Sequence, residues 1–219
     1  IEFAFAINYQ TLQLPNFQTE EAPMADRRTI DTGTEDLLGY VEDRVAVLTM
    51  NRPSRRNALS NPMPRALEAA LIEIDVASDV GCLVLTGAEN AFCAGGDVKA
   101  MNEANSGGGS DGDKAQRPPI DYAIKRQRLS QRATAGKLYS LSKPTIASLP
   151  GAAAGAGLSL ALACDLRIAS DTAILTTAFA NVGFSGDYGG TYFMTKLIGA
   201  AKVRELYLLS DKPDRKSTS

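Results

Sequence analysis

Between Lys143 and Asp165 the chain reads KPTIASLPGAAAGAGLSLALACD, and this segment restricts the possible folds more than any other. A β-type run, Thr145–Leu149, meets Pro150 and Gly151. Only Gly and Ala follow as far as Gly157, and then comes a helix of small and apolar residues. Side chains this small let another molecule approach the backbone closely. The first N–H groups of such a helix have no partner within it and lie at its positive end. The segment therefore predicts a strand-to-helix junction whose main-chain donors can hold an oxygen carrying negative charge.

The rest of the composition narrows the chemistry. With 219 residues, 44% of them hydrophobic, the chain suits one globular domain with a sizeable core. Lys and Arg number 23 against 25 Asp and Glu, a net charge of -2, which argues against a nucleic-acid groove or an anionic membrane surface. No apolar run is long enough to span a bilayer, because the Ala-rich helix is closed by Asp165 and Arg167. Cys82, Cys93 and Cys164 are scattered and form no CxxC, so no disulfide framework and no zinc ribbon is expected. That usage predicts a reducing, cytoplasmic setting. Histidine is absent, which removes the Ser-His-Asp triad, the Cys-His pair and HExxH metal sites. Proton transfer must then use a carboxylate, Lys, Tyr, Cys or water, and no metal site is expected.

Along the chain, residues 1–23 read as an appendage or leader, with Met24 as a natural start and residues 24–210 as the core domain. The polar stretch ADRRTIDTGTED follows Met24. Val45–Met50 and Cys82–Thr86 read as buried strands. Between them a helix near Met63–Ala77 is predicted, capped by Ser60 or Asn61, with Leu67, Ala70, Leu71 and Ile74 on one face. Gly87 to Gly96 reads as a loop, after which Asp97 can cap a short helix through Met101. Residues 105–119 are rich in Gly, Ser and charge and read as a mobile loop. A long helix over Ile120–Leu141 precedes the Thr145–Leu149 strand. Strand-like Leu166–Ala169 and Ile174–Thr177 come next, then a Gly-rich turn at Gly183–Gly190 and helices near Thr191–Ile198 and Ala201–Leu209. Alternating strands and helices of this kind predict an α/β domain with crossover connections. Residues 211–219 read as a polar tail.

Two familiar motifs fail. Gly155-Ala156-Gly157 lacks the third glycine of a dinucleotide loop, since Leu160 stands there. Gly183-Phe184-Ser185-Gly186-Asp187 misses the last glycine of GxSxG, and Ser185 would have no histidine base. A third motif holds. Ala91-Phe92-Cys93-Ala94-Gly95-Gly96-Asp97 again sets small residues between a buried strand and a helix start. Tight packing of helices on a sheet also selects Gly and Ala. Two such junctions on neighbouring strands, however, could aim two N–H groups at one oxygen.

Four stretches carry a family resemblance: VAVLTMNRPSRRNALS, CLVLTGAENAFCAGGDVKAM, KPTIASLPGAAAGAGLSLALACDLRIAS and GFSGDYGGTYFMTKLIGAAKVRELYLLS. They run from Val45 to Ser210 and resemble the crotonase superfamily, the enoyl-CoA hydratases and isomerases. The resemblance implies a spiral of ββα/βαβ units with surrounding helices, assembled as a homotrimer or a dimer of trimers. It implies an acyl-CoA thioester as partner, with coenzyme A part of the substrate and no separate cofactor. It places the oxyanion donors at the N–H groups of Gly96 and Ala156. Around them, Ala58, Ala94, Gly95, Asp97, Val98 and Gly155 fall in the substrate-binding motifs. Arg55 and Arg56 resemble the basic position near the CoA phosphates, although solvated surface charge is an equal alternative. Lys99 resembles a further CoA neighbour.

The departures from the family decide the chemistry that the resemblance implies. Family hydratases use two glutamates, at the positions held here by Ser159 and Phe179, so addition of water by that route is not expected. Asp187 matches an aspartate that some family isomerases and aromatic acyl-CoA dehalogenases present to substrate. Beside Phe179 and Phe184 it would act as acid and base in a double-bond shift. Capping the following helix is its other reading. A hydratase using one carboxylate and a shortened, non-catalytic acyl-CoA binder stand as alternatives, because family members continue through further C-terminal helices beyond the position of Ser210.

Overall fold

A computed structural model describes residues 27–98, 100 and 119–210 of the chain. The expected leader, the polar tail, Lys99 and nearly all of the expected loop at 105–119 lie outside the described residues.

The main sheet has six strands. They are β1 (Arg28–Ile30), β2 (Leu37–Glu42), β3 (Val45–Met50), β4 (Cys82–Gly87), β6 (Thr145–Leu149) and β8 (Leu166–Ala169), hydrogen-bonded in that order. The first three pair antiparallel, and β3, β4, β6 and β8 run parallel. A smaller parallel sheet contains β5 (Ala91–Cys93), β7 (Ala152–Ala154) and β9 (Leu175–Thr176). Each long parallel strand after β3 is followed in sequence by a short one, so β4–β5, β6–β7 and β8–β9 add one rung to both sheets at once. This is the expected spiral of ββα units.

The sequence reading missed β1, β2, β5 and β7. In β2 the alternation is present, with Leu37, Gly39 and Val41 buried and Leu38 exposed. It was hidden among charges and glycine. The strands β5 and β7 are three residues each, too short to show a period.

Helix α1 (Met63–Val76) buries Met63, Ala66, Leu67, Ala70, Leu71 and Ile74, a three-four spacing that makes one apolar stripe. Each fully buried Leu, Ile or Met there contributes roughly 1.5–3 kcal/mol of transfer free energy. Neither Ser60 nor Asn61 caps this helix. Pro62 is the N-cap residue, no side-chain cap bond forms, and Pro64 occupies the first turn, where its missing N–H is no loss. Helix α2 (Ile120–Gln131) continues through a π-helical turn at Arg132–Gly136 into a last turn at Lys137–Tyr139. An ion pair from Lys137 to Asp75 ties it to α1.

Helix α3 (Ala156–Ala163) is the predicted Gly/Ala helix. It is apolar all round, and seven of its eight residues are buried, because no polar face remains to meet water. Helices α4 (Gly190–Ile198) and α5 (Ala200–Leu209) follow, separated by Gly199 at φ 80°. The core lies between the main sheet and α1, α3 and the π turn, around Leu48, Leu83, Leu85, Leu138 and Leu160.

Candidate active site

The spiral brings the two strand-to-helix junctions side by side. In the small sheet Ala91 pairs with Ala152 and Cys93 with Ala153. Gly95 has φ +88°, and a Cβ there would stand 2.8 Å from the Ala154 carbonyl oxygen and 3.2 Å from the Ala156 nitrogen. A Cβ on Gly157 would fall 2.3 Å from the Cys93 carbonyl oxygen. Each junction thus needs the other's missing side chains in order to close up. Gly96 bridges to Leu59, and the Leu59 N–H donates to the Gly95 carbonyl at 2.8 Å. Ala156 opens α3, so its N–H has no intrahelical acceptor.

Polar residues clamp the first junction. Asn57 is fully buried. Its amide donates to the carbonyls of Ala88 (2.9 Å) and Ala91 (2.8 Å), and its oxygen accepts the Arg52 N–H at 2.8 Å. Arg52 donates to the Ala58 carbonyl and, at 3.0 Å, to the Asp97 carboxylate. Asp97 caps the next turn by accepting the Ala100 N–H at 3.1 Å. That bond first, and Arg52 after it, hold the Asp97 carboxyl below the usual carboxylate range against the opposing effect of burial. Arg55 stands 4.0 Å from Asp97. The Arg56 carbonyl accepts the Ala94 N–H at 2.9 Å. Both arginine residues are exposed, as is Val98, while Ala58 is buried. Sequence reasoning missed Arg52 and Asn57. Their only signal is a polar pair flanking the break NRPSRRN at the end of a strand.

Asp187 lies against the second junction. Its carbonyl accepts the Ser159 hydroxyl at 3.1 Å and the Gly190 N–H at 3.1 Å, and Ser159 reaches back to the Gly155 carbonyl at 3.2 Å. Asp187 is half-buried, its Oδ1 is out of contact with solvent and has no hydrogen-bond partner, and this burial pushes its pKa up to about 6. The reading of Asp187 as a helix cap is corrected here: Gly189 is the N-cap residue of α4, and no side chain caps it.

Phe179 is buried beside Gly155 and stacks on Tyr207 with ring centroids 5.8 Å apart. Phe184 does not close an apolar pocket as expected. It is 56% exposed, because it rides on the surface turn that follows Gly183 at φ +74°. Tyr207 was not foreseen. Its hydroxyl shares with that of Ser159 the space where a Cβ of Gly190 would be, at 2.4 and 2.3 Å. Burial raises the pKa of both Tyr188 and Tyr207 to about 12, with the Asp187 charge adding to it. Both phenols therefore stay neutral near pH 7 and can donate hydrogen bonds. Among the described residues no group of His, Cys, Asp or Glu could hold a metal ion, and no helix is long and apolar enough to cross a membrane.

Residues 41–214 match the family model of the enoyl-CoA hydratase/isomerases. The Escherichia coli K12 protein named 1,2-epoxyphenylacetyl-CoA isomerase is 34% identical over 178 residues, covering 81% of this chain and 64% of its own. The Bacillus subtilis protein YngF, which carries enoyl-CoA hydratase/isomerase in its name, is 37% identical over 174 residues, or 79% of this chain and 61% of its own. The crystal structure of an enoyl-CoA hydratase from Polaromonas sp. JS666 superposes with a TM-score of 0.70 at 26% identity, over 83% of this chain and 66% of that one. The chain belongs to the enoyl-CoA hydratase/isomerase family. It spans about 61–64% of the length of these two curated relatives.

Proposed function

We propose that this chain binds an acyl-CoA thioester and shifts a carbon–carbon double bond within its acyl group. The thioester oxygen lies between the N–H groups of Gly96 and Ala156. Asp187 takes a proton from the carbon next to the thioester carbonyl. The C–H electrons move into an enolate, whose oxygen gains charge at the two amides. Asp187 then returns the proton two carbons further along, and a 3-enoyl thioester becomes a 2-enoyl thioester. Coenzyme A enters only as part of the substrate.

One observation carries this reading. Asp187 has a buried, unpartnered carboxylate oxygen and a pKa raised to about 6, against the first turn of the helix that Ala156 opens. Such a group is ionised at pH 7 yet basic enough to take a proton and give it back. In this reading the first junction supplies the other donor through Gly96, since the adjoining Gly95 abuts Ala156. An oxyanion donor of this type is worth about 3 kcal/mol of transition-state stabilisation. The two-glutamate hydratase route finds no support, because Ser159 and Phe179 stand at those positions and both are buried. Assembly into trimers belongs to the same proposal, and the exposed Leu166 and Ile168 on the edge strand β8 are the surface it would cover.

The test is turnover of a 3-enoyl-CoA. Asp187→Asn should lower kcat by about 100- to 10,000-fold. Wild-type kcat should fall with acidification through pH 6, as Asp187 takes up its proton. Full activity of the asparagine variant would sink the assignment.

A further inference from the structure

Asp187 stands in a turn that does little to fix it. Gly186 before it has φ +109°, and Tyr188 and Gly189 after it have φ +50° and +74°. Its Oδ1 has no hydrogen-bond partner, so the carboxyl is not anchored through that atom. The residue is held by its carbonyl, which accepts the Ser159 hydroxyl and the Gly190 N–H, both at 3.1 Å. Ser159 shares its one proton between this bond and the Gly155 carbonyl, so its lone pairs remain open to a donor. The Tyr207 hydroxyl is placed to be that donor. The two hydroxyls meet in the space that a Cβ on Gly190 would take. Burial raises the phenol to about 12, with Ser159 acting on it as a hydrogen-bond partner, so it keeps its proton near neutral pH.

Tyr207 is itself held from several sides. Its ring stacks on Phe179 with an interplanar angle of 11°, and it closes on Gly186, where a Cβ would stand 2.8 Å from Cε1. The carbonyl of the preceding residue, Leu206, accepts the Thr177 hydroxyl at 2.8 Å, which ties α5 to the segment after β9. We propose that Tyr207 is a positioning residue: through Ser159 it fixes the Asp187 main chain and keeps the Asp187 carboxyl in its water-free setting. This rests on the acid–base reading of Asp187 above and adds to it the residue that sets the strength of the base. Among the described residues, the titratable groups that bear on this cluster are Tyr188 in the same turn, Tyr207 on α5 and Cys93 on β5. Burial pushes all three up to about 12, so none of them exchanges a proton with Asp187 near neutral pH.

Two measurements on the whole chain test this, one of them independent of turnover. With aspartate labelled at its carboxyl carbon, NMR follows the Asp187 titration directly, and the signal is assigned by its loss in Asp187→Asn. The unaltered protein should titrate near pH 6. Tyr207→Phe keeps the stacked ring and removes only the donor, and it should move that titration at least about half a unit toward the ordinary aspartate value. In turnover of a 3-enoyl-CoA the same variant should lose about tenfold or more in kcat, with KM changed less than about twofold. Ser159→Ala should do the same. The double variant should be no worse than either single one, because the two hydroxyls act in series. An unmoved titration with unchanged kcat in Tyr207→Phe, or losses that simply add in the double variant, would overturn the inference and leave the acid–base reading intact. An Asp187 that titrates at its ordinary value in the unaltered protein would remove both together.

Discussion

The two junctions that meet at the candidate site are built by opposite means. The first, around Cys93–Asp97, is held by polar groups: Asn57 satisfies three backbone positions, and Arg52 joins the Ala58 carbonyl to the Asp97 carboxylate. The second, around Ala154–Ser159, is held chiefly by close packing, with Gly157 seated on the Cys93 backbone, seven residues of α3 buried and the Ser159 hydroxyl as its side-chain hydrogen-bond donor. A polar clamp fails when a partner is removed, because buried donors and acceptors are left unmatched. A packed junction fails when an atom is added, because nothing nearby can move aside. The carboxylates of the two regions divide in the same way. Hydrogen bonds from Ala100 and Arg52 depress Asp97, whereas burial raises Asp187.

The largest expected effect lies on the packed side. In Gly157→Ala the new Cβ would meet backbone 2.3 Å away, so the helix or β5 must shift. Chemical denaturation should show a loss of about 3 kcal/mol or more. A loss below about 1 kcal/mol would mean that the junction is pliable and the contrast false. On the clamped side, Asn57→Ala strands a buried N–H and two carbonyls, and should cost about 2–3 kcal/mol. Near-neutral behaviour there would show that water replaces the amide.

Asp187→Asn sharpens the contrast through its sign, because it should stabilise the fold while abolishing turnover. The native carboxyl titrates near pH 6, above its ordinary value of 3.8, so the folded state holds a proton that the unfolded chain has already released. Stability from this group is present below pH 4 and is lost as pH rises through 6. The asparagine variant lacks that loss and should gain about 1–2 kcal/mol at pH 7, after allowance for solvent screening. Melting curves of both proteins at pH 5 and pH 8 read the difference. Asp97→Asn should do the reverse and do less. Asparagine still caps the turn, so the cost is about 1 kcal/mol near neutrality. It should vanish on acidification below the ordinary carboxylate range, because a depressed carboxyl contributes stability only above its unfolded pKa.

The legible parts of the molecule share a physical cause. The strands Val45–Met50, Cys82–Gly87 and Thr145–Leu149 could be read because buried parallel strands need continuous apolar runs. The Gly/Ala helix could be read because close approach leaves only small residues available. The small sheet was not legible, since three-residue strands carry no period and their pairing is decided by the register of the long strands beside them. Asp187 was identified from its motif, but part of its surroundings, Tyr207 for one, comes from further along the chain. No local pattern announces Tyr207, which reaches Ser159 and Phe179 only because α5 folds back over the site. Phe184 was misjudged because a turn and a pocket wall favour the same mixture of glycine and aromatic residues.

The place where Gly190, Ser159 and Tyr207 meet leaves no spare volume. Two hydroxyls already fill the space that a methyl group on residue 190 would take. A bulkier residue at 190 must therefore push both hydroxyls aside, and through the Ser159 bond to the Asp187 carbonyl that displacement would reach the backbone of the proposed acid–base residue.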